Sequence, residues 1–246
     1  MKTGNPTLSA KTFEALPISL VKEMTIAGTV NKTLLLLILL SLSSAWSWHQ
    51  FYTTEDITLI ISYLWIGTLG GFVVALVTIF VKKWAWITSP IYALLEGLAI
   101  GSISALFETA FPNIVIQAVA LTFGTLFCLL LAYKSGLIKV TATFKLGVVA
   151  ATGAICLIYI VDMVLIYFGF TVPYIHETGP VGILFSLFFV TIAALNLVLD
   201  FDFIREGAEM GAPKYMEWYG AFALIITLVW LYLEILELLA KIRGSQ

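Results

Sequence analysis

Six carboxylates occupy positions where a membrane-like chain would normally be apolar. Glu96, Asp162, Glu234 and Glu237 lie inside long apolar runs, Asp200 and Asp202 close another, and no Lys or Arg lies within any of these runs. An acid at a bilayer centre costs roughly 2.5–3.5 kcal/mol on insertion scales. Several acids without matching bases imply shared protons, bound cations or a water-filled cavity. The interior therefore reads as acidic and selective for positive charge.

Spacing sorts these acids into roles. Glu96 lies about nine residues into its run, roughly 14 Å from the edge and near the midplane, so it should face the protein, beside the fourth or seventh helix, as a cation or proton position. The competing reading is a protonated carboxyl bonded to a neighbouring helix. Asp162 falls towards the outer half of the fifth run, where a hydrated vestibule serves as well as a site. Asp200 and Asp202, two residues apart, point to different helix faces, so one can look inward while the other meets water or Arg205. Glu234 and Glu237 share a face, and Lys241, four residues past Glu237, can neutralise it; Glu234 is left without a base.

The elements that must carry these residues follow from composition. Of 246 residues, 61% are hydrophobic and 11% charged, and the mean hydropathy is +1.02. Soluble domains carry about 25% charged residues, so this composition indicates an all-α polytopic membrane protein. Seven spans are expected: Leu34–Trp48, Ile57–Val81, Ile87–Phe107, Ile114–Tyr133, Leu146–Phe170, Val181–Leu199 and Tyr219–Leu239. The first is short and carries Ser41, Ser43, Ser44 and Ser47. Trp46, Trp48, Trp84, Trp86, Trp218 and Tyr219 mark run ends, as amphipathic rings at headgroup level would. Gly67 with Gly71, and Gly97 with Gly101, are small-xxx-small pairs suited to close helix packing. Cys128 and Cys156 read as small buried hydrophobes.

Residues 1–32 form a tail with Lys2, Lys11, Lys22 and Lys32 and no apolar core, which argues against a cleavable signal peptide. Within it, Thr7–Met24 reads either as a short amphipathic helix broken near Pro17 or as a partly ordered segment. Residues 33–246 make up the membrane domain. Basic residues orient it: those of the tail, Lys82 and Lys83, Lys134, Lys139 and Lys145, and Arg205 and Lys214 share one side, eleven of the 13 in the chain. The connections around His49–Asp56, Glu108–Asn113 and Thr171–Gly179 hold none. Lys and Arg are retained on the cytoplasmic side, so the N-terminus is expected there. Lys241 and Arg243 are the exceptions, and they leave open a last segment that dips in and returns. Single cysteines at Glu55 and Lys139 should react with a membrane-impermeant thiol reagent from opposite sides; labelling from one side would overturn this topology.

Catalytic readings find little support. With only His49 and His176, a three-histidine zinc hydrolase lacks its ligands. A DxD sugar-transfer reading of Asp200 and Asp202 needs a soluble catalytic domain that the chain lacks, and no phosphate loop, metalloprotease helix or nucleophile elbow is present. A retinal photoreceptor needs a mid-span Lys in the last helix, and Lys241 follows the expected span. The chain is not expected to be an enzyme or to carry a cofactor.

LNLVLDFDFIREG followed by WLYLEILELLAKI resembles the last two spans of the Bax inhibitor family, the transmembrane Bax inhibitor motif proteins. NPTLSAKTFE, MTIAGTVNKT, ITSPIYALLEGLAIGSISALFE and GAPKYMEWYGAF resemble its longer bacterial branch, so the resemblance covers nearly the whole chain. It implies seven helices with the last one central, a bacterial cytoplasmic membrane, and for some members a pH-sensitive calcium leak. It also implies an acid pair as pH sensor and Ca²⁺ site, matched here by Asp200 in VLDFDFI and Glu234 in LYLEILELL, where glutamate replaces the family's more familiar aspartate. Lys82 corresponds to a basic residue closing the second helix of calcium-leak relatives. Other bacterial relatives regulate a membrane-anchored quality-control protease through a cytoplasmic tail.

Two functions thus follow from the sequence. One is a pH-gated cation leak, with Ca²⁺ or protons moving along Asp200, Glu234, Glu96, Asp202 and Asp162, and with Lys82 or Arg205 as basic partners. The other is a regulatory partner of a membrane protease. In the first, Asp200 and Glu234 share a proton at low pH and part, or bind a cation, when both ionise, because like charges a few ångströms apart cannot both ionise cheaply.

Overall fold

The computed structural model describes residues 23–170 and 177–245. Among them are seven long helices: α1 (Ile26–Thr54), α2 (Ile57–Phe80), α3 (Ala85–Ala110), α4 (Ile114–Lys134), α5 (Ala142–Tyr167), α6 (Pro180–Glu209) and α7 (Met216–Gly244). Each is long and apolar enough to cross a membrane. The protein is an all-α integral membrane protein. Leu42, Phe72, Phe127 and Met163 are each more than half exposed on helix flanks, a placement that suits acyl chains and not water. The segment read as an amphipathic helix, Thr7–Met24, lies almost wholly outside the described residues.

Local chemistry sets the helix starts. Thr25 caps α1 by accepting from the Gly28 amide, Asp56 caps α2 by accepting from Thr58 and Leu59, and Thr141 caps α5 by accepting from Phe144. α1 has 29 residues, twice the length of the apolar run that marked it. The serines that shortened that run are accommodated: Ser43 Oγ donates to the Leu94 carbonyl at 2.6 Å and Ser47 Oγ to Ser44 O at 3.1 Å. α6 runs ten residues past the expected end at Leu199, carried by the Arg205 ion pairs to Asp202 and Glu209 at i−3 and i+4. α7 is one unbroken helix, so it contains no turn at which a re-entrant segment could reverse.

Because the helices outrun their apolar cores, four lysines expected outside the spans, Lys32, Lys134, Lys145 and Lys241, fall within helices, the last two buried. Cys128 and Cys156 are exposed on the helix flanks, correcting their reading as buried hydrophobes. Tyr219, read as an interfacial ring, is fully buried.

Two compact units make up the described chain. One takes 113–170, 177–201 and 227–245; the other takes 23–112 and 202–226. α6 and α7 contribute to both. In the second unit α3 packs against α1 and α2, and the glycine pairs make the approach close. A Cβ on Gly101 would lie 2.1 Å from Ser47 Oγ and 2.2 Å from the Ser44 carbonyl, and one on Gly67 would lie 2.5 Å from the Leu95 carbonyl. α7 is the most buried helix, with 67% of its most apolar window enclosed against 11–50% for the other six.

Candidate functional site

In the first unit the acids gather around α7. Glu234 is 3% exposed. Its Oε1 accepts from the Tyr159 hydroxyl of α5 at 2.7 Å and from Trp230 Nε1, one turn back, at 2.9 Å. Its Oε2 is buried and accepts no hydrogen bond. Tyr159 and Trp230 themselves pack on an apolar cluster of Ile155, Phe189 and Ile192, which fixes the two donors and leaves one carboxylate oxygen uncommitted. Asp162 is buried three residues beyond Tyr159, and its charge acts on that ring along with those of Glu234 and Glu237. Glu237 pairs with Lys241 at 2.7 Å, the neutralisation that their i, i+4 spacing suggests.

Asp200 is completely buried. Its carboxylate has an interaction of its own, while Oδ2 accepts no hydrogen bond. α6 and α7 run antiparallel in this unit. Lys241 of α7 donates to Ser186 of α6, and Trp230 packs near Ile192 and Leu195, so residue numbers fall on one helix as they rise on the other.

The second unit holds the remaining acids. Asp202 is 2% exposed and accepts from Arg205 Nη2 at 2.8 Å, its Oδ2 taking no hydrogen bond. Asp202 and Asp200 are thus both buried, although two residues apart, because α6 is enclosed over this whole stretch. Glu96 is half-buried, bonded to Tyr92 one turn back, and lies over Gly71 of α2, where an added Cβ would come within 2.9 Å of its Oε2. The missing side chain at Gly71 is what admits this carboxyl, so Glu96 lies against α2, and its partner Tyr92 packs edge-on against Phe222 of α7 at 5.0 Å. Lys82 sits over the Tyr219 ring at 5.6 Å.

Glu217 escaped the sequence reading. It is completely buried and collects Thr25 N at 3.0 Å, Thr25 Oγ1 at 2.9 Å, Lys214 at 3.2 Å and Lys32. An anionic carboxylate thus sits on the first turn of α1, where amide groups are unsatisfied and the helix dipole favours negative charge. Gly28 makes room for it, since a Cβ there would lie 2.1 Å from Glu217 Oε1. Lys32 also lies over Trp218 at 5.5 Å, and the Met24 amide donates to Ala212 O at 2.7 Å. The start of α1 is thereby clamped to the α6–α7 connection. Only Lys214, three residues before Glu217, signals any of this in the sequence; the other partners are about 185 residues away or more.

Comparison with known protein families decides the broader kinship: a model described as Bax inhibitor 1 like matches residues 5–244. The chain belongs to that family. No curated protein and no solved structure matches it significantly. Among the described residues of this Bax inhibitor 1 like protein, no three His, Cys, Asp or Glu side chains converge as a metal-holding group. Its acids are instead spread along α3, α5, α6 and α7.

Proposed function

We propose that the chain is a pH-sensitive cation leak, with Ca²⁺ as the ion and the α6–α7 acids as its proton-operated switch, in a bacterial cytoplasmic membrane. The observation that carries this reading is Glu234: a carboxylate enclosed in an apolar helix, oriented by two donors on one oxygen and bare on the other. A carboxylate oxygen held this way is a hard ligand for a proton or a divalent cation. Asp200 and Glu234 share a proton at low pH and carry two charges when it leaves, so flux rises with pH. Asp162 adds a third buried acid to the first unit, and in the second unit Arg205 restrains Asp202.

A second reading, regulation of a membrane-anchored protease through the N-terminal tail, draws on the clamp around Glu217. The Met24–Ala212 hydrogen bond and the Glu23–Pro213 bridge fix where the tail leaves the membrane domain. Vesicles reconstituted with the full chain, and with a chain lacking residues 1–22, separate the two. Cation flux that survives the truncation supports the leak. Absent flux in both forms, together with tail-dependent protease binding, supports regulation.

A further inference from the structure

Lys241 is a buried base on the helix that carries Glu234 and Glu237. A lysine near a helix end ordinarily extends its ammonium to water. Lys241 instead is 6% exposed, with its ammonium held by Glu237 Oε1 and Ser186 Oγ, each at 2.7 Å. Carboxylate and hydroxyl oxygens are the donors that a hard metal cation selects. Glu237 shares a helix face with Glu234, three residues away, and the Lys241 charge reaches Glu234 as well. Three carboxylates, Asp162, Glu234 and Glu237, act on the one Tyr159 ring. Glu234 Oε2 is buried and remains without a hydrogen bond.

We infer that the Lys241 ammonium is a tethered resident cation: it holds the place between Glu237 and Ser186 that a mobile cation would take, and so limits how tightly this stretch of α6 and α7 binds one. Its consequence for flux rests on the leak reading, but its effect on binding does not. The competing role is a purely structural staple between α6 and α7. Removing a staple loosens the protein; removing a competitor frees the Glu237 and Ser186 oxygens that the ammonium holds.

Terbium luminescence, excited through tryptophan in the purified full-length protein, distinguishes these roles, because Trp230 lies directly against Glu234. Lys241→Met should bind Tb³⁺ at least about tenfold more tightly than the wild type, the scale of losing one adjacent like charge at partly screened separation. Lys241→Arg, which keeps the charge, should match the wild type. Adding Glu237→Gln to Lys241→Met should erase the gain. Unchanged affinity in Lys241→Met and in a parallel Lys241→Gln variant overturns the inference. So does an equal gain in Lys241→Arg, or a gain that persists in the Glu237→Gln double variant. Vesicles that pass no cation in any variant would sink the leak and leave the terbium result standing.

Discussion

Glu234→Gln and, independently, Asp200→Asn should flatten the pH dependence of cation flux while leaving the protein folded. The structure gives a reason to expect Glu234→Gln to be tolerated. Gln keeps a carbonyl oxygen for Tyr159 and Trp230, and its amide nitrogen replaces Oε2, which makes no hydrogen bond. What is lost is the ability to ionise. In wild-type vesicles flux at an alkaline pH should exceed flux at an acidic pH, because the shared proton leaves as pH rises. In either variant the ratio of the two fluxes should fall to near one. Glu234→Ala is a harsher change, since it strips the acceptor from two half-buried donors, at up to about 1–3 kcal/mol each. It should lower thermal stability as well as flux, which separates the switch from the scaffold. Wild-type pH dependence in both isosteric variants would remove Asp200 and Glu234 from the mechanism.

The largest effect on folding is expected at Gly101. A Cβ there overlaps Ser47 Oγ and the Ser44 backbone, and a backbone carbonyl in a packed helix cannot rotate away as a side chain can. Gly101→Val should force α1 and α3 apart, with a loss of at least about 1–3 kcal/mol, the usual cost of overpacking. Gly124 is the internal control, because nothing lies within 4 Å of its Cβ position. Gly124→Ala should be neutral or slightly stabilising, given Ala's higher helix propensity. Thermal stability in detergent, followed by size-exclusion of the soluble fraction, reads both. A Gly101→Val protein that melts with the wild type would mean that α1 and α3 do not pack as closely as described.

The seven helices were legible because hydrocarbon imposes a single demand, an apolar run long enough to cross, and the chain meets it seven times. The extent of α1 was not legible, because its serines look too polar for a span until Leu94 and the glycines of α3 are beside them. The acids could be listed from the sequence, but their neighbours could not. Tyr159 reaches Glu234 across 75 residues and Ser186 reaches Lys241 across 55, separations at which helical periodicity carries no information. Glu217 was hidden for another reason: it lies just before the apolar run, where a charge is ordinary, and only the folded start of α1 makes it exceptional. Lys241 was read as following the last span because the apolar run ends before the helix does.

Calcium flux into vesicles holding only the purified full-length chain, followed with an enclosed indicator dye from acidic to alkaline pH, tests the central claim most directly. The expected result is flux above that of empty vesicles, increasing from the acidic to the alkaline end and suppressed at the acidic end. Flux indistinguishable from empty vesicles, or flux that does not change with pH, would contradict a proton-operated cation leak.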